Sequence, residues 1–252
     1  MRDEIRRVFI GCAGWSLSSA VAAAFPAEGT HLQRYAAVLP AVEINSSFYR
    51  PHRPATYARW RDSVPQDFRF SVKLPRAISH ERRLRDSEPL LDDFLAQVGN
   101  LGEKLGCLLL QLPPSLRFEA EPAAAFLAAL RARTNTAVAC EPRHASWFSE
   151  QAADLMRRHA IAFVRADPPP VRDMLPPSLP GIAYLRLHGA PDIYRSAYGP
   201  AFLDALARRI LALAAAPDPV WCVFDNTADG HALPNALNLL RLLQQGWIGS
   251  SK

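Results

Sequence analysis

Lysine is almost missing from this chain: of 252 residues only Lys73, Lys104 and Lys252 are lysines, and the rest of the basic charge is arginine. Blocks of five or more like charges are absent, so the formal charge of +5 permits a nucleic-acid partner without pointing to one. The densest basic run, "SHERRLR" at 79–85, reads as a solvated loop. Cysteine is scarce too. Cys12, Cys107, Cys140 and Cys222 form no CxxC pair, and each lies in or beside an apolar run. That pattern predicts buried, reduced thiols rather than disulfides or zinc ligands. No stretch approaches the roughly 18 apolar residues of a membrane span. The opening "MRDEIRRVFIG" lacks the apolar region of about 7–15 residues that a signal peptide carries. These absences argue for a cytoplasmic protein without a membrane partner.

What is present is 49% hydrophobic residues, arranged in two alternating periods. Short runs rich in β-branched and aromatic residues occur at 8–10, 41–44, 68–72, 107–110, 137–140, 161–164, 182–187 and 220–224, and they read as strands buried on both faces. Between most of them lie helical stripes, such as Leu32, Tyr35, Ala36 and Leu39, or Leu91, Phe94, Leu95 and Val98. Ser149 is placed to cap a helix that has Glu150 in its first turn and Arg157 in its last. Eight strands, each but the sixth followed by a helix, predict an α/β protein. The fold expected is a single-domain (β/α)8 TIM barrel over 1–252. After strand six the run "ADPPPVRDMLPPSLPG" at 166–181 predicts an irregular, proline-rich connection with little or no helix. A doubly wound sheet is the rival, but "GCAGWS" after strand one is not the GxGxxG of a nucleotide-binding turn.

In such barrels the chemistry collects at the C-terminal ends of the strands. Those ends carry Trp15 after strand one, and Glu43, Asn45 and Tyr49 after strand two. Strands three and four supply Lys73 and Gln111. Strand five runs into "VACEPRHASWF", with Glu141, Arg143, His144 and Trp147. Strand six ends in Arg165 and Asp167, strand seven in Arg186 and His188, and strand eight in Asp225, Asn226 and Thr227. Alternation along a strand puts Arg186 and His188 on one face, and likewise Glu43 with Asn45 and Ser71 with Lys73. Pro142 stiffens the turn after Glu141. Glu43, Glu141, His144, His188 and Asp225 are the candidates for acid–base work. Trp15, Asn45, Tyr49, Lys73, Gln111, Arg143, Trp147, Arg186, Tyr194 and Asn226 are the candidates for binding substrate, the aromatics by stacking on a ring. The stretch from Asp225 to a helix near Asn235 also suits a phosphate, or simply caps that helix.

The motifs "IGCAGWS", "VEINSSFYRP", "FRFSVKLPRAISH", "LLLQLPPSLRF", "VACEPRHASWF", "LRLHG" and "VFDNTADGHALPNAL" occur in this order across about 8–243. In them the chain resembles the domain of unknown function 72 family, the YecE-like proteins. The resemblance implies a TIM barrel and no assigned reaction. The segment "LSSAVAAAFPAEGTHL" after "GWS" is alanine-rich, where many relatives carry a second aromatic, so the first loop is expected to shape its pocket differently.

Three functions fit these readings. The first is an enzyme without a cofactor, performing acid–base chemistry on a small anionic or sugar-like molecule. The second is a divalent-metal enzyme acting on phosphodiesters or nucleic acid, by analogy of fold with apurinic-endonuclease and sugar-isomerase barrels. It lacks an HxH, HExxH or paired-Asp spacing, and no metal ligand is assigned. The third is a non-catalytic binding protein whose polar ring only pairs with itself. Parity predicts that Glu43, Lys73, Glu141, His144, Arg186, His188 and Asp225 converge on one cavity, a ring that can pair internally when empty and then admit an anion by giving Arg186 and Lys73 a better partner.

Overall fold

The apolar runs form eight parallel strands: β1 (Val8–Cys12), β2 (Ala41–Ile44), β3 (Arg69–Lys73), β4 (Leu105–Gln111), β5 (Val138–Glu141), β6 (Ile161–Asp167), β7 (Ala183–Leu187) and β8 (Val220–Phe224). The computed structural model describes residues 7–19, 21–172, 174, 177 and 181–249. Helices alternate with the strands: α1 (His31–Ala36), the single turn α2 (Ser46–Tyr49), α3 (Pro54–Asp62), α4 (Glu88–Val98), α5 (Ala120–Arg133), α6 (Glu150–Arg158), α7 (Pro200–Ala214) and α8 (Ala232–Gly249). Pro54 opens α3, and the Ser149 hydroxyl accepts from the Ala152 amide at the start of α6, as the sequence predicts. Between β6 and β7 the described residues are irregular. Much of the proline-rich connection, at 173, 175–176 and 178–180, lies outside the described residues.

The strands pair in the order β1-β8-β7-β6-β5-β4-β3-β2, a barrel lacking only a full ladder between β1 and β2. There the contact is one bridge between Ala13 and Glu43, with the Gly14 amide donating to the Glu43 carbonyl at 3.0 Å. Below it the Tyr35 hydroxyl of α1 sits in the seam. It accepts from the Cys12 amide at 2.8 Å and donates to the Ala41 carbonyl at 2.9 Å, standing in for a ladder bond. The backbones meet closely at Gly11, where a Cβ would lie 2.1 Å from the Ala41 oxygen. No other residue fits there.

Strand parity builds two apolar layers. Residues such as Val42, Ile44, Leu108, Leu110, Leu185 and Leu187 face the helices. Ala41, Cys107, Leu109, Ala139, Val164, Tyr184, Trp221 and Val223 fill the barrel, with Phe9 and Ala166 against them. The small members make room for the large ones. Gly106, at the register shift between β3 and β4, lies where a Cβ would come 2.6 Å from the Trp221 ring. Phe9 packs on Trp221 at 4.8 Å between centroids, and Trp221 stacks on Tyr184 at 5.9 Å. All four cysteines are free and buried, and burial pushes the Cys12 thiol up to about 12. Helix ends are closed by cations. The Arg131 guanidinium of α5 donates to the carbonyls of Thr134, Thr136, His159 and Ala160, and Lys104 donates to those of Arg61 and Val64. Among the described residues no helix is long and apolar enough to cross a membrane.

Candidate functional site

The barrel filling changes character at its upper end. Above the Trp221–Tyr184 stack, the Tyr184 hydroxyl bonds Glu43 Oε2 and Ser71 Oγ, both at 2.8 Å. The next inward residue of β7 is Arg186, whose side chain is 1% exposed. Its Nε and Nη2 fork onto Glu43, with Nη2–Oε1 at 2.8 Å. Nη1 donates to Glu141 Oε2 at 3.0 Å, and Nη2 also lies 2.9 Å from Asp225 Oδ2. One guanidinium thus serves three carboxylates from β2, β5 and the end of β8, a use that the planar fork of arginine allows and lysine does not.

One step further along β7, His188 lies between two of the same acids. Nδ1 is 3.0 Å from Asp225 Oδ2 and Nε2 is 3.2 Å from Glu141 Oε1. Burial by itself would lower the imidazole pKa, but Glu141 and Asp225 together raise it, which favours the doubly protonated ring. Glu141 takes a third cation, Arg143, at 2.8 Å. Burial would raise its carboxyl, yet Arg186, His188 and Arg143 hold it well below the usual range. For Asp225 burial likewise opposes ionisation, and Arg186 and His188 overcome it. Three buried carboxylates are therefore matched by Arg186, Arg143 and a charged His188.

Lys73 stands outside this balance. It is 7% exposed, and its Nζ lies 4.1 Å from the centre of the Phe48 ring, a cation–π contact. No carboxylate of the described residues comes within 4.0 Å of it. Burial, and next the charge of Arg186, lower the ammonium to about 8 against the pull of Glu43, Glu141 and Asp225. Gln111, the inward residue at the end of β4, is buried with no side-chain hydrogen bond among the described residues.

The structure brings together Glu43, Lys73, Gln111, Glu141, Arg143, Arg186, His188 and Asp225. Tyr194 joins them from the loop after β7. Its ring meets His188 edge-on at 5.6 Å, and its hydroxyl accepts from Arg143 at 3.4 Å. Its φ of 69° places a tyrosine in the left-handed region. Other expected residues lie elsewhere. His144 does not join the ring. Its Nδ1 accepts from the Ser146 amide at 3.1 Å and caps the turn Ala145–Phe148, because Pro142 redirects the chain once β5 has ended. Trp147 lies in the core, its Nε1 donating to the Leu116 carbonyl, and lines no mouth. Tyr49 is 77% exposed, and Trp15 packs edge-on against Trp60. Asn226 is fully buried, its amide donating to Ser196 and Asn235, so it braces the loop after β8. Asn45 follows β2, and its Oδ1 is buried without a hydrogen-bond partner among the described residues. Val164 and Ala166 fill the barrel, so Arg165 and Asp167 face the helix layer. The internal pairing expected of the empty ring is found at Arg186, whose donors are engaged by Glu43, Glu141 and Asp225.

One residue that the sequence does not single out also bears on Lys73. His80, in the run read as a solvated loop, lies on a π-helical turn Ala77–Glu81 anchored by the buried Ile78 and Ser79. Its Nδ1 is 2.9 Å from Ser79 Oγ, and its ring meets Phe48 edge-on at 4.9 Å. Beside the charged floor a cavity of about 940 Å³ lies between the loops after β1 and β8, lined by Ala13, Gly14, Ser16, Thr227, Asp229 and His231 among others. Among the described residues no group of three or more His, Cys, Asp and Glu side chains is placed to hold a metal ion.

Comparison with known proteins places this geometry in a lineage. A family model described as "Protein of unknown function DUF72" matches residues 9–250. UPF0759 protein YecE of Escherichia coli (strain K12) is 33% identical over 144 residues, covering 57% of this chain and 51% of that protein. The matched segment therefore spans about half of that relative's length. UPF0759 protein YunF of Bacillus subtilis is 24% identical over 96% of both chains. The crystal structure of a DUF72 family protein from Thermotoga maritima superposes with a TM-score of 0.79 at 26% identity, covering 94% of this chain and 99% of the other.

Proposed function

The chain belongs to the DUF72 family, whose description assigns no reaction, and from that premise we propose that it is an enzyme. The proposed activity moves protons on a small anionic or sugar-like molecule at the C-terminal mouth of the barrel. One observation carries the reading. Two titratable groups in the field of the same carboxylates are displaced toward neutrality from opposite sides, His188 upward and Lys73 downward to about 8. A group kept protonated beside one that gives up its proton more readily than usual is what acid–base chemistry needs. Charged His188 supplies a proton, and Lys73, largely ammonium below about pH 8 but holding its proton less firmly than usual, passes one in either direction. Arg186 fixes the carboxylates that hold the histidine, a positioning role. The cavity of about 940 Å³ between the loops after β1 and β8 is large enough for a small substrate, and its lining is mixed, with Ser16, Ser18, Thr227, Asp229 and His231 set among Leu17, Val21, Leu233 and Pro234.

The test is solvent exchange. The chain is incubated in D2O with separate panels of aldoses, ketoses, their phosphates and 2-keto acids, and loss of carbon-bound protons is followed by NMR. Exchange is expected in one class, and it should fall by about 10²-fold or more in Lys73→Met and in His188→Gln, the usual size of a general acid–base contribution. Exchange in none of the classes, or exchange undiminished in both variants, sinks the reading. Binding without exchange would favour a binding protein instead.

A further inference from the structure

The ends of β3, β4 and β5 lie side by side and carry donors in Lys73, Gln111 and Arg143, while the Glu141 carboxylate among them is already engaged by Arg143, Arg186 and His188. Lys73 and Gln111 are the inward residues closing β3 and β4, and Arg143 follows Glu141, which pairs in register with Gln111. His80 hangs over the same side from its π-turn, sharing the Phe48 ring with Lys73. With Nδ1 turned to Ser79, its Nε2 has no hydrogen-bond partner among the described residues. Resting on the proposed site and deepening it, we infer that Lys73, His80, Gln111 and Arg143 form a subsite for the dianion of a phosphate monoester.

The argument is one of charge and geometry. Glu43, Glu141 and Asp225 are matched by Arg186, Arg143 and charged His188. Lys73 and a protonated His80 are left over as two positive charges, which suits a dianion better than a carboxylate. Gln111 and the outer edge of Arg143 add donors for the remaining oxygens. The charged groups bearing on His80 are Lys73 from β3, Arg76 and Glu81 on its own turn, and Arg143 from beyond β5. Glu81 is the one acid among them, and it leans on Arg76 at 3.7 Å. Burial first, then those three cations, lower the His80 pKa, so the ring is largely neutral when the subsite is empty. Binding of a dianion reverses that field and draws a proton onto the ring. Affinity should therefore fall as pH rises.

The experiment is calorimetric titration of the full chain with inorganic phosphate at neutral pH, in two buffers of different ionisation enthalpy, with acetate and sulfate as comparisons. The expected result is one phosphate per chain, bound more tightly than acetate, with the proton uptake by His80 read from sulfate, a dianion at neutral pH that brings no proton of its own. Affinity should drop about tenfold or more in His80→Gln and in Gln111→Leu, a loss of at least one charge-assisted or neutral hydrogen bond. Thermal unfolding of both variants is measured alongside and should change little, since Gln111 makes no side-chain hydrogen bond among the described residues and leucine is of similar size, while His80 sits on an outer turn. Phosphate affinity equal in wild type and both variants, no detectable phosphate binding, or acetate bound as tightly would each overturn the inference. Exchange catalysed on an unphosphorylated sugar by a chain that ignores phosphate would overturn it while sparing the proton-transfer reading. Phosphate held by this arc with no exchange in any panel does the reverse.

Discussion

Lys73 and Arg186 are both buried cations at one barrel mouth, yet they are held in opposite ways, and substitution should separate them. Arg186 is over-provided with carboxylates, so Arg186→Met leaves Glu43, Glu141 and Asp225 facing one another and should cost about 3–5 kcal/mol. Lys73 has no ion pair among the described residues, and its folded pKa of about 8 lies below its ordinary 10.5. Between those values the unfolded chain binds more protons than the folded one. Stability must therefore rise with pH across that window, by about 3 kcal/mol in all. Below about pH 8 the folded protein carries that burden in full. Lys73→Met should accordingly stabilise at pH 7, by about 2 kcal/mol, and abolish the rise. Urea unfolding at pH 7 and across 8–10.5 checks both variants; a Lys73→Met protein less stable than wild type, or one that keeps the slope, contradicts the account.

At the scale of elements, alternation was the legible signal. The inward set Tyr184, Arg186 and His188 on β7 follows from two-residue periodicity, as do Glu43 on β2 and Lys73 on β3. Periodicity stops where a strand stops, which is why His144 and Trp147, beyond Pro142, were assigned to the mouth and belong to a cap and to the core. His80 was illegible for another reason. A π-turn has no sequence period, and a single histidine among arginines resembles solvated loop until Ile78 and Ser79 are seen buried beneath it. Helix ends were legible where a side chain caps locally, as at Ser149, and not where a distant one does. Arg131 is the case in point, since its guanidinium joins the end of α5 to the end of α6 through four carbonyls. Arg131→Met should cost about 2–3 kcal/mol, with Arg131→Lys restoring only part, as hydrogen bonds to a charged donor are worth about 1.5–3 kcal/mol. Equal denaturation midpoints for the methionine variant and wild type would remove the clamp from the stability of the fold.

For the molecule as a whole, eight strands and their helices could be read from the chain, but the way the barrel closes could not. Tyr35 falls in an apolar stripe of α1 and looks like ordinary core; nothing in its spacing reveals that its hydroxyl is inserted between two strands. The consequence concerns solubility. A sheet ordered from β1 round to β2 has two edges, and Tyr35 with the Ala13–Glu43 bridge is what hides them from one another and from other molecules. Tyr35→Phe keeps the ring and strands one buried amide and one buried carbonyl, a loss of about 1–3 kcal/mol concentrated at that junction. Strand edges released there are templates for pairing between chains. The variant should then oligomerise on mild warming at temperatures where its helices are still folded, in proportion to concentration. Sedimentation showing the variant as monomeric as wild type through its melting range would mean that the barrel stays shut without its tyrosine.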